Sequence, residues 1–173
     1  MLEHLNIKNL VVVEELNIDF KFGMTVITGE TGAGKSILIQ ALKIVAGGRS
    51  DASLVRNGAA KAEITASFSV RSNTKLKSYL ESQDLENGAE CILRRVIVLD
   101  GKSRSYVNGR KVPLSILSDI GSYLIDMHGQ NEHQLLLRTN HHRILLDDFA
   151  RSQGLCNEVN DAYSNYHDVK NKI

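Results

Sequence analysis

The chain has 173 residues, 42% of them hydrophobic and 24% charged, with 21 Lys+Arg against 20 Asp+Glu and a formal net charge of +1. That length holds one sizeable domain and its core but hardly two, and the composition excludes a wholly disordered chain. Balanced charge excludes bulk attraction to a polyanion, so any DNA contact has to come from a local patch. His4, Lys8, Glu14, Glu15 and Asp19 break up the opening, so no signal peptide is legible. The apolar run from Leu10 to Val13 is far shorter than the ~20 residues that cross a bilayer. Cys91 and Cys156 lack CxxC spacing, which points to a reducing compartment and no zinc site. The expectation is a soluble intracellular domain.

Leu2, Leu5 and Ile7 alternate well enough for an opening strand, and Val11 to Phe20 continues in β-type patterning. Met24 to Thr28 is a short β-branched run between Gly23 and Gly29, which predicts a buried strand. Ser36 to Ala46 predicts a helix, with Ile37, Leu38, Ala41, Leu42 and Val45 on one face and Gly47-Gly48 as its stop. Residues 62–70 and 90–99 predict strands around a short helix near Leu76 to Leu80. The turn dipeptides Asp100-Gly101 and Asn108-Gly109 predict antiparallel hairpin structure over 90–112.

Pro113 suits the first turn of a helix that points Ile116, Leu117 and Ile120 inward. Tyr123 to Asp126 predicts a second core strand, leading into the polar loop Met127 to Gln134. From about residue 141 the pattern is helical, with Gly154 as a break between the tail helix and the one before it. Leu155, Val159, Ala162, Tyr166, Val169 and Ile173 then form a heptad seam still running at the last residue. A terminal helix packed on its own domain would explain this seam too, but the absence of a stop signal favours a chain cut from a longer one.

Gly29-Glu30-Thr31-Gly32-Ala33-Gly34-Lys35-Ser36 matches G-x-x-x-x-G-K-[ST] in full. A polyphosphate is wrapped by successive backbone N–H groups, which needs glycines where side chains would obstruct. The helix that follows turns its positive end to the same phosphates. Lys35 can reach the β- and γ-phosphates, and the Ser36 hydroxyl can ligate magnesium. A chance match in a chain this long is on the order of one in two hundred, and the octet also sits between an expected strand and an expected helix. The motif implies a magnesium-bound nucleotide and not a particular reaction.

Two apolar runs end in a candidate magnesium Asp: Val96 to Asp100 and Tyr123 to Asp126. Asp100 runs straight into Gly101 and reads better as the opening of a turn, leaving Asp126 the stronger of the two. Neither is followed by a catalytic Glu, and the chain has no Leu-Ser-Gly-Gly stretch. No complete hydrolytic machine is legible.

These residues resemble the RecN family of bacterial double-strand-break repair proteins, related to the SMC ATPases. The likeness rests on Leu5 to Asn9, Thr28 to Leu38, Gly47 to Asp51, Ser105 to Arg110 and Asp126 to Gln134, in that order. It implies an α/β P-loop domain of ABC-ATPase-head type, with a mainly parallel core sheet, an antiparallel β subdomain and a coiled-coil stump. Residues 1–150 would be the N-terminal lobe of a split head and 151–173 the start of the arm. The family's C-terminal lobe supplies the signature motif, the magnesium Asp and the catalytic Glu, which accounts for their absence here.

By the same resemblance the cofactors are ATP and Mg2+, Gln130 senses the γ-phosphate through magnesium and the attacking water, and Asp126 becomes a strand-end residue. Arg49 corresponds to an arginine near nucleotide or DNA. The implied partners are the chain's own C-terminal lobe, a second copy through heads and coiled coil, and DNA without sequence preference. The implied location is cytoplasmic and nucleoid-associated, without a membrane. Arg94, Arg95, Lys102, Arg104, Arg110 and Lys111 face one acid, Asp100, within 94–111; they are either a solvated hairpin or a DNA-backbone patch.

His128, His133, His141 and His142 fit no metal spacing, and loop polarity explains them. The rival reading is a complete small-molecule or nucleoside kinase using Asp126 as magnesium or base residue; Arg94, Arg95 and Arg104 would be its lid, which the turn dipeptides and heptad tail disfavour. A pure coiled-coil dimerisation fragment is opposed by the phosphate loop.

Overall fold

The computed structural model describes residues 1–29, 34–127, 146–147, 149–150 and 152–171. The chain divides into two compact units, Met1–Asp126 and Met127–Ile173.

In the first unit the chain runs β1 (Leu2–Leu10), β2 (Val13–Asp19), α1 (Lys35–Val45), a short 3-10 turn (Ala52–Leu54), β3 (Lys61–Ser69), α2 (Thr74–Ser82), β4 (Glu90–Val98), β5 (Arg104–Val107), β6 (Arg110–Val112) and α3 (Leu114–Leu124). The strands form one sheet in the order β2-β1-β3-β4-β5-β6. Strand alternation sorts its two faces. Leu5 and Ile7 of β1, Ile64, Ala66 and Phe68 of β3, Leu93 and Ile97 of β4 and Val107 of β5 are all buried. Ala41, Ile44 and Val45 of α1, Leu76 and Leu80 of α2 and Leu117 and Ile120 of α3 join the same core. Each fully buried Leu, Ile or Phe contributes about 1.5–3 kcal/mol of transfer free energy. The other face is polar, with Asn6, Lys8, Glu63, Thr65 and Arg94 along it. Cys91 belongs to the core, where burial pushes its thiol up to about 12.

The hairpin forms as the turn residues dictate. Asn108 (φ 49°) and Gly109 (φ 80°) both take the left-handed conformation that a tight two-residue turn requires. Asn108 also stitches the turn in place: its side-chain oxygen accepts from Ile92 N–H at 2.7 Å, and its amide donates to the Leu85 carbonyl at 2.6 Å. The other hairpin has no such signal. Val11 sits at φ 53° between β1 and β2, a costly place for a β-branched residue. Its N–H donates to the Leu54 carbonyl at 2.8 Å, and Leu10 bridges to Val55, so the 3-10 turn holds it.

Every strand pairing among the described residues is antiparallel, so the antiparallel part of the expected architecture is present and a mainly parallel core sheet is not. Met24–Thr28, expected as a buried strand, pairs with no strand among the described residues and is exposed, Met24 at 91% and Val26 at 68%, as is Phe22 before it at 94%. β-branched composition favours an extended chain, but a strand needs a neighbouring edge for its N–H and C=O groups. Tyr123–Asp126 is a second correction: Tyr123 and Leu124 close α3, Ile125 is its extended C-cap at φ −131° and ψ 123°, and no strand is formed here. The i, i+3, i+4 run of Leu117, Ile120, Gly121 and Leu124 carries the helix past the point where a strand was expected.

Gly47 (φ 100°) ends α1 with its N–H on the Ile44 carbonyl at 3.1 Å, and Gly48 N–H reaches the Lys43 carbonyl at 2.8 Å, a Schellman motif. A Cβ on Gly47 would lie 2.4 Å from Ser118 Cα, and one on Gly121 would lie 2.1 Å from the Ala46 carbonyl oxygen. The end of α1 and the middle of α3 therefore touch backbone to backbone.

In the second unit, α4 (Gln153–Lys170) starts with Gly154 in its first turn, at the start of the tail helix where the break from the preceding one was expected. Glycine costs least near a helix end, where few intrahelical bonds depend on it. Leu155, Val159, Tyr166 and Val169 of the seam are 60–66% exposed. No helix among the described residues is long and apolar enough to cross a membrane.

The glycine contact gives an opposed pair of expectations. Gly121→Ala should destabilise the chain by roughly 1–3 kcal/mol, because the clash is with backbone that cannot rotate away. Gly154→Ala, with nothing within 4 Å of its added methyl, should stabilise α4 by up to about 1 kcal/mol. Urea unfolding and helix content of the two variants check this; equal stability of Gly121→Ala and the parent would refute the contact.

Candidate functional site

The phosphate-loop octet straddles the start of α1. Gly29, Gly34, Lys35 and Ser36 are described; Glu30, Thr31, Gly32 and Ala33 lie outside the described residues. Gly34 caps the helix in the left-handed conformation, φ 91° and ψ −12°, with nothing within 4 Å of where a Cβ would sit. That conformation is nearly free for glycine and strained for any other residue. It lets the chain enter α1 with no side-chain cap and no acid in the first turn. The first turn accordingly begins with unused N–H donors and an uncompensated positive end, which suits an anion.

Lys35 is half-buried at this end, and its ammonium donates to the carbonyl of Gly29 across the loop. Ser36 follows on the exposed side. A lysine, a hydroxyl and bare helix amides fit a magnesium-bound polyphosphate: Lys35 and the amides for the phosphate oxygens, Ser36 for the metal.

Gln130 and the four histidines fall outside the described residues. Asp126 is exposed just beyond α3, and Asp100 is exposed in the turn after β4, as its turn reading required. Among the described residues no cluster of His, Cys, Asp or Glu could hold a metal ion by itself. Arg49 is exposed four residues beyond the end of α1.

The six basic residues of 94–111 do not form one surface. Arg94 lies on the polar face, its Nε donating to Glu63 Oε1 at 2.6 Å and its guanidinium 5.1 Å from the Tyr106 ring centroid. Lys61 also lies 3.6 Å from Glu63. The hydrogen bond from Arg94 holds the Glu63 carboxyl below its ordinary value, and the same bond raises Arg94. A count of charges along 94–111 missed this acid, because strand pairing brings it from β3. Arg110 donates to the Asp84 carbonyl.

Arg95 points the other way. Only 2% exposed on the core side of β4, it donates to Ser105 Oγ and, at 3.2 Å, to Ser50 Oγ. It does not share the open polar face that carries Arg94. The alternation of Leu93, Arg95 and Ile97 was the signal that could have found it. Lys102, Arg104 and Lys111 are exposed and form no ion pair among the described residues.

An antiparallel sheet covering α1, with a phosphate loop at the start of that helix, is the arrangement of an SMC-type ATPase head. The solved SMC head with an extended coiled coil from Pyrococcus furiosus, bound to the C-terminal domain of ScpA, superposes with a TM-score of 0.65 at 24% identity, over 95% of this chain and 47% of that one. A second, the SMC head bound to the C-winged helix domain of ScpA, gives 0.61 at 26% identity over 75% and 42%. The chain belongs to the AAA domain family, matched over residues 4–171.

Within that family it is similar to the DNA repair protein RecN of Vibrio cholerae, 44% identical over the whole chain and 31% of that relative. It is also 42% identical to RecN of Bacillus subtilis, over 97% of the chain and 28% of the relative. The chain spans about a third of the length of these relatives.

The Glu63–Arg94 pair carries its own expectation. Its contribution is fully present above the ordinary carboxylate range and is lost as pH falls through the lowered value for Glu63. Glu63→Gln should therefore cost about 0.5–1 kcal/mol near neutral pH and nothing in acid below that value. Denaturant unfolding of parent and variant across this window measures it, and a pH-independent difference would mean the pair contributes through packing alone.

Proposed function

We propose that this chain is the ATP- and Mg2+-binding N-terminal lobe of a split ATPase head in an SMC-like DNA-repair protein acting on double-strand breaks. The observation that carries the reading is the uncapped start of α1, where Gly34, Lys35 and Ser36 end a complete phosphate-loop octet. Its likeness to RecN along the full chain supports the repair context. Residues 1–150 form the lobe and 151–173 begin the coiled-coil arm; the exposed apolar seam of α4 supports the latter.

Bound nucleotide would bring a polyphosphate whose γ-phosphoryl group can be transferred to water. Lys35 and the loop amides neutralise and orient it, Ser36 ligates the magnesium, and Gln130 serves as the sensor of metal and water. Hydrolysis needs the C-terminal lobe with its Asp and Glu and the signature motif of a second head, so the chain alone turns over no ATP. Met24–Thr28, unpaired among the described residues, supports a lobe whose sheet is completed by the C-terminal lobe. The exposed cations Lys102, Arg104 and Lys111, with Arg94, Arg110 and Arg49, meet DNA backbone without reading sequence. The protein works in the cytoplasm, at the nucleoid.

In the full-length protein Lys35→Ala should lose ATP binding by at least about tenfold. Gln130→Ala should keep affinity and lose most DNA-stimulated turnover, and Asp126→Asn should leave binding near normal. Nucleotide titration and phosphate release on the three variants decide it. Steady turnover by the 173-residue chain, abolished by Lys35→Ala, would replace this reading with a self-sufficient enzyme.

Neutralising Lys102, Arg104 and Lys111 together should weaken DNA binding by the full-length protein. The slope of log affinity against log salt should also flatten, by roughly 0.9 for each DNA phosphate that is no longer neutralised. An unchanged slope returns these three to a solvated surface.

A further inference from the structure

The basic residues of the hairpin divide by what they touch. Arg94 is held by Glu63 and Arg110 by the Asp84 carbonyl. The other four, Arg95, Lys102, Arg104 and Lys111, line one pocket of 410 Å³ together with Ser105 and the first residue of α3, Leu114. No acidic residue lines it.

Its innermost member is Arg95, almost wholly enclosed at 2% exposure. Two of its guanidinium nitrogens donate to Ser105 and Ser50, and among the described residues its Nε has no hydrogen-bond partner. Buried polar atoms are almost always satisfied, and a buried charged donor left alone is expensive. Burial also lowers the guanidinium pKa, the direction of an uncompensated cation.

The rim agrees with the floor. α3 is an eleven-residue helix that starts after Pro113 with no side-chain cap and no acid in its first turn. Its first intrahelical acceptance is by the Pro113 carbonyl from Leu117 N–H at 3.2 Å, so the amides of Leu114, Ser115 and Ile116 precede the hydrogen-bonded ladder. Strand alternation sends the Arg104 and Lys111 side chains toward the opposite face from Arg95, so they act through their field, which reaches about 10 Å at moderate salt. Lys102, in the turn before β5, is free of that constraint.

We propose that this pocket is an oxyanion site that takes a phosphate group, with the Arg95 guanidinium as its buried anchor, the Ser105 hydroxyl and the start of α3 as donors, and the three exposed cations as attracting field. The phosphate is either a phosphodiester of DNA or a free phosphate group; both present the same tetrahedral oxygens. The site is separate from the phosphate loop, and it stands whether or not the ATPase reading does.

The test uses the 173-residue chain carrying Lys35→Ala, which disables the phosphate loop, so that any saturable response belongs elsewhere. Inorganic phosphate is titrated while the Arg95 Nε–H resonance and the backbone amides of Ser103, Ser105 and Leu114 are followed by NMR. The expected result is a saturable shift of the Nε–H signal together with those amides. Affinity should be about tenfold weaker in Arg95→Lys, which keeps charge but loses the forked donor. It should be several-fold weaker in the exposed double variant Lys102→Ala/Arg104→Ala, which carries the test if Arg95→Lys does not fold.

A short DNA duplex added to the phosphate-loaded chain separates the sources. Displacement of phosphate identifies a phosphodiester as the ligand, and undisturbed phosphate binding identifies a free phosphate group. Shifts that rise linearly without saturating, or equal affinity in the parent and the double variant, overturn the proposal.

Discussion

The helix that carries Lys35 is anchored at its far end, where Gly47 and Gly121 let the backbones of α1 and α3 meet with no side chain between them. Eleven residues of α-helix span about 16 Å, so a tilt of about 10° at this contact would swing the phosphate-binding end by roughly 3 Å. The Schellman motif at Gly47-Gly48 fixes where α1 stops, and Ala41, Ile44 and Val45 press its flank onto β3 and β4. α3 in turn packs on β5 and α2. The position of the lysine is thus set by core packing through two glycines, and only the first turn of α1 is set by the loop.

Most elements were legible because a local signal and the core agreed. The octet ending in Ser36 marked the helix start, Gly47-Gly48 its end, and Asn108-Gly109 a turn that takes positive φ at both residues. The strands at 62–70 and 90–99 announced themselves by alternation. The β1–β2 turn was not announced, because Val11 is there against its own preference and the Leu54 carbonyl, remote in sequence, decides it. Met24–Thr28 has strand composition and no partner edge, a condition no reading of local propensity can detect. Tyr123–Asp126 misled because an apolar run of four has no period of its own.

The charges were legible in number and not in arrangement. Composition along 94–111 offered one acid for six bases, yet pairing of β3 with β4 delivers Glu63 to Arg94 from thirty-one residues away. The neighbouring Arg94 and Arg95 part company because successive strand residues face opposite sides: one stacks on Tyr106 in the open, the other is enclosed among serines. A patch inferred from a linear window therefore mixes residues of different environment, and the strand register separates them.

The exposed run from Phe22 to Thr28 also bears on how the chain survives its own synthesis. It is uncharged, free of proline, rich in β-branched and large apolar residues, and without a paired strand among the described residues. Such a segment can stack with copies of itself as readily as with any intended neighbour. Lys21 before it and Glu30 after it in the sequence place a charge at each end of the run, where like charges in stacked copies would repel one another. Charges flanking an apolar run are the arrangement that disfavours such stacking while leaving the run itself apolar.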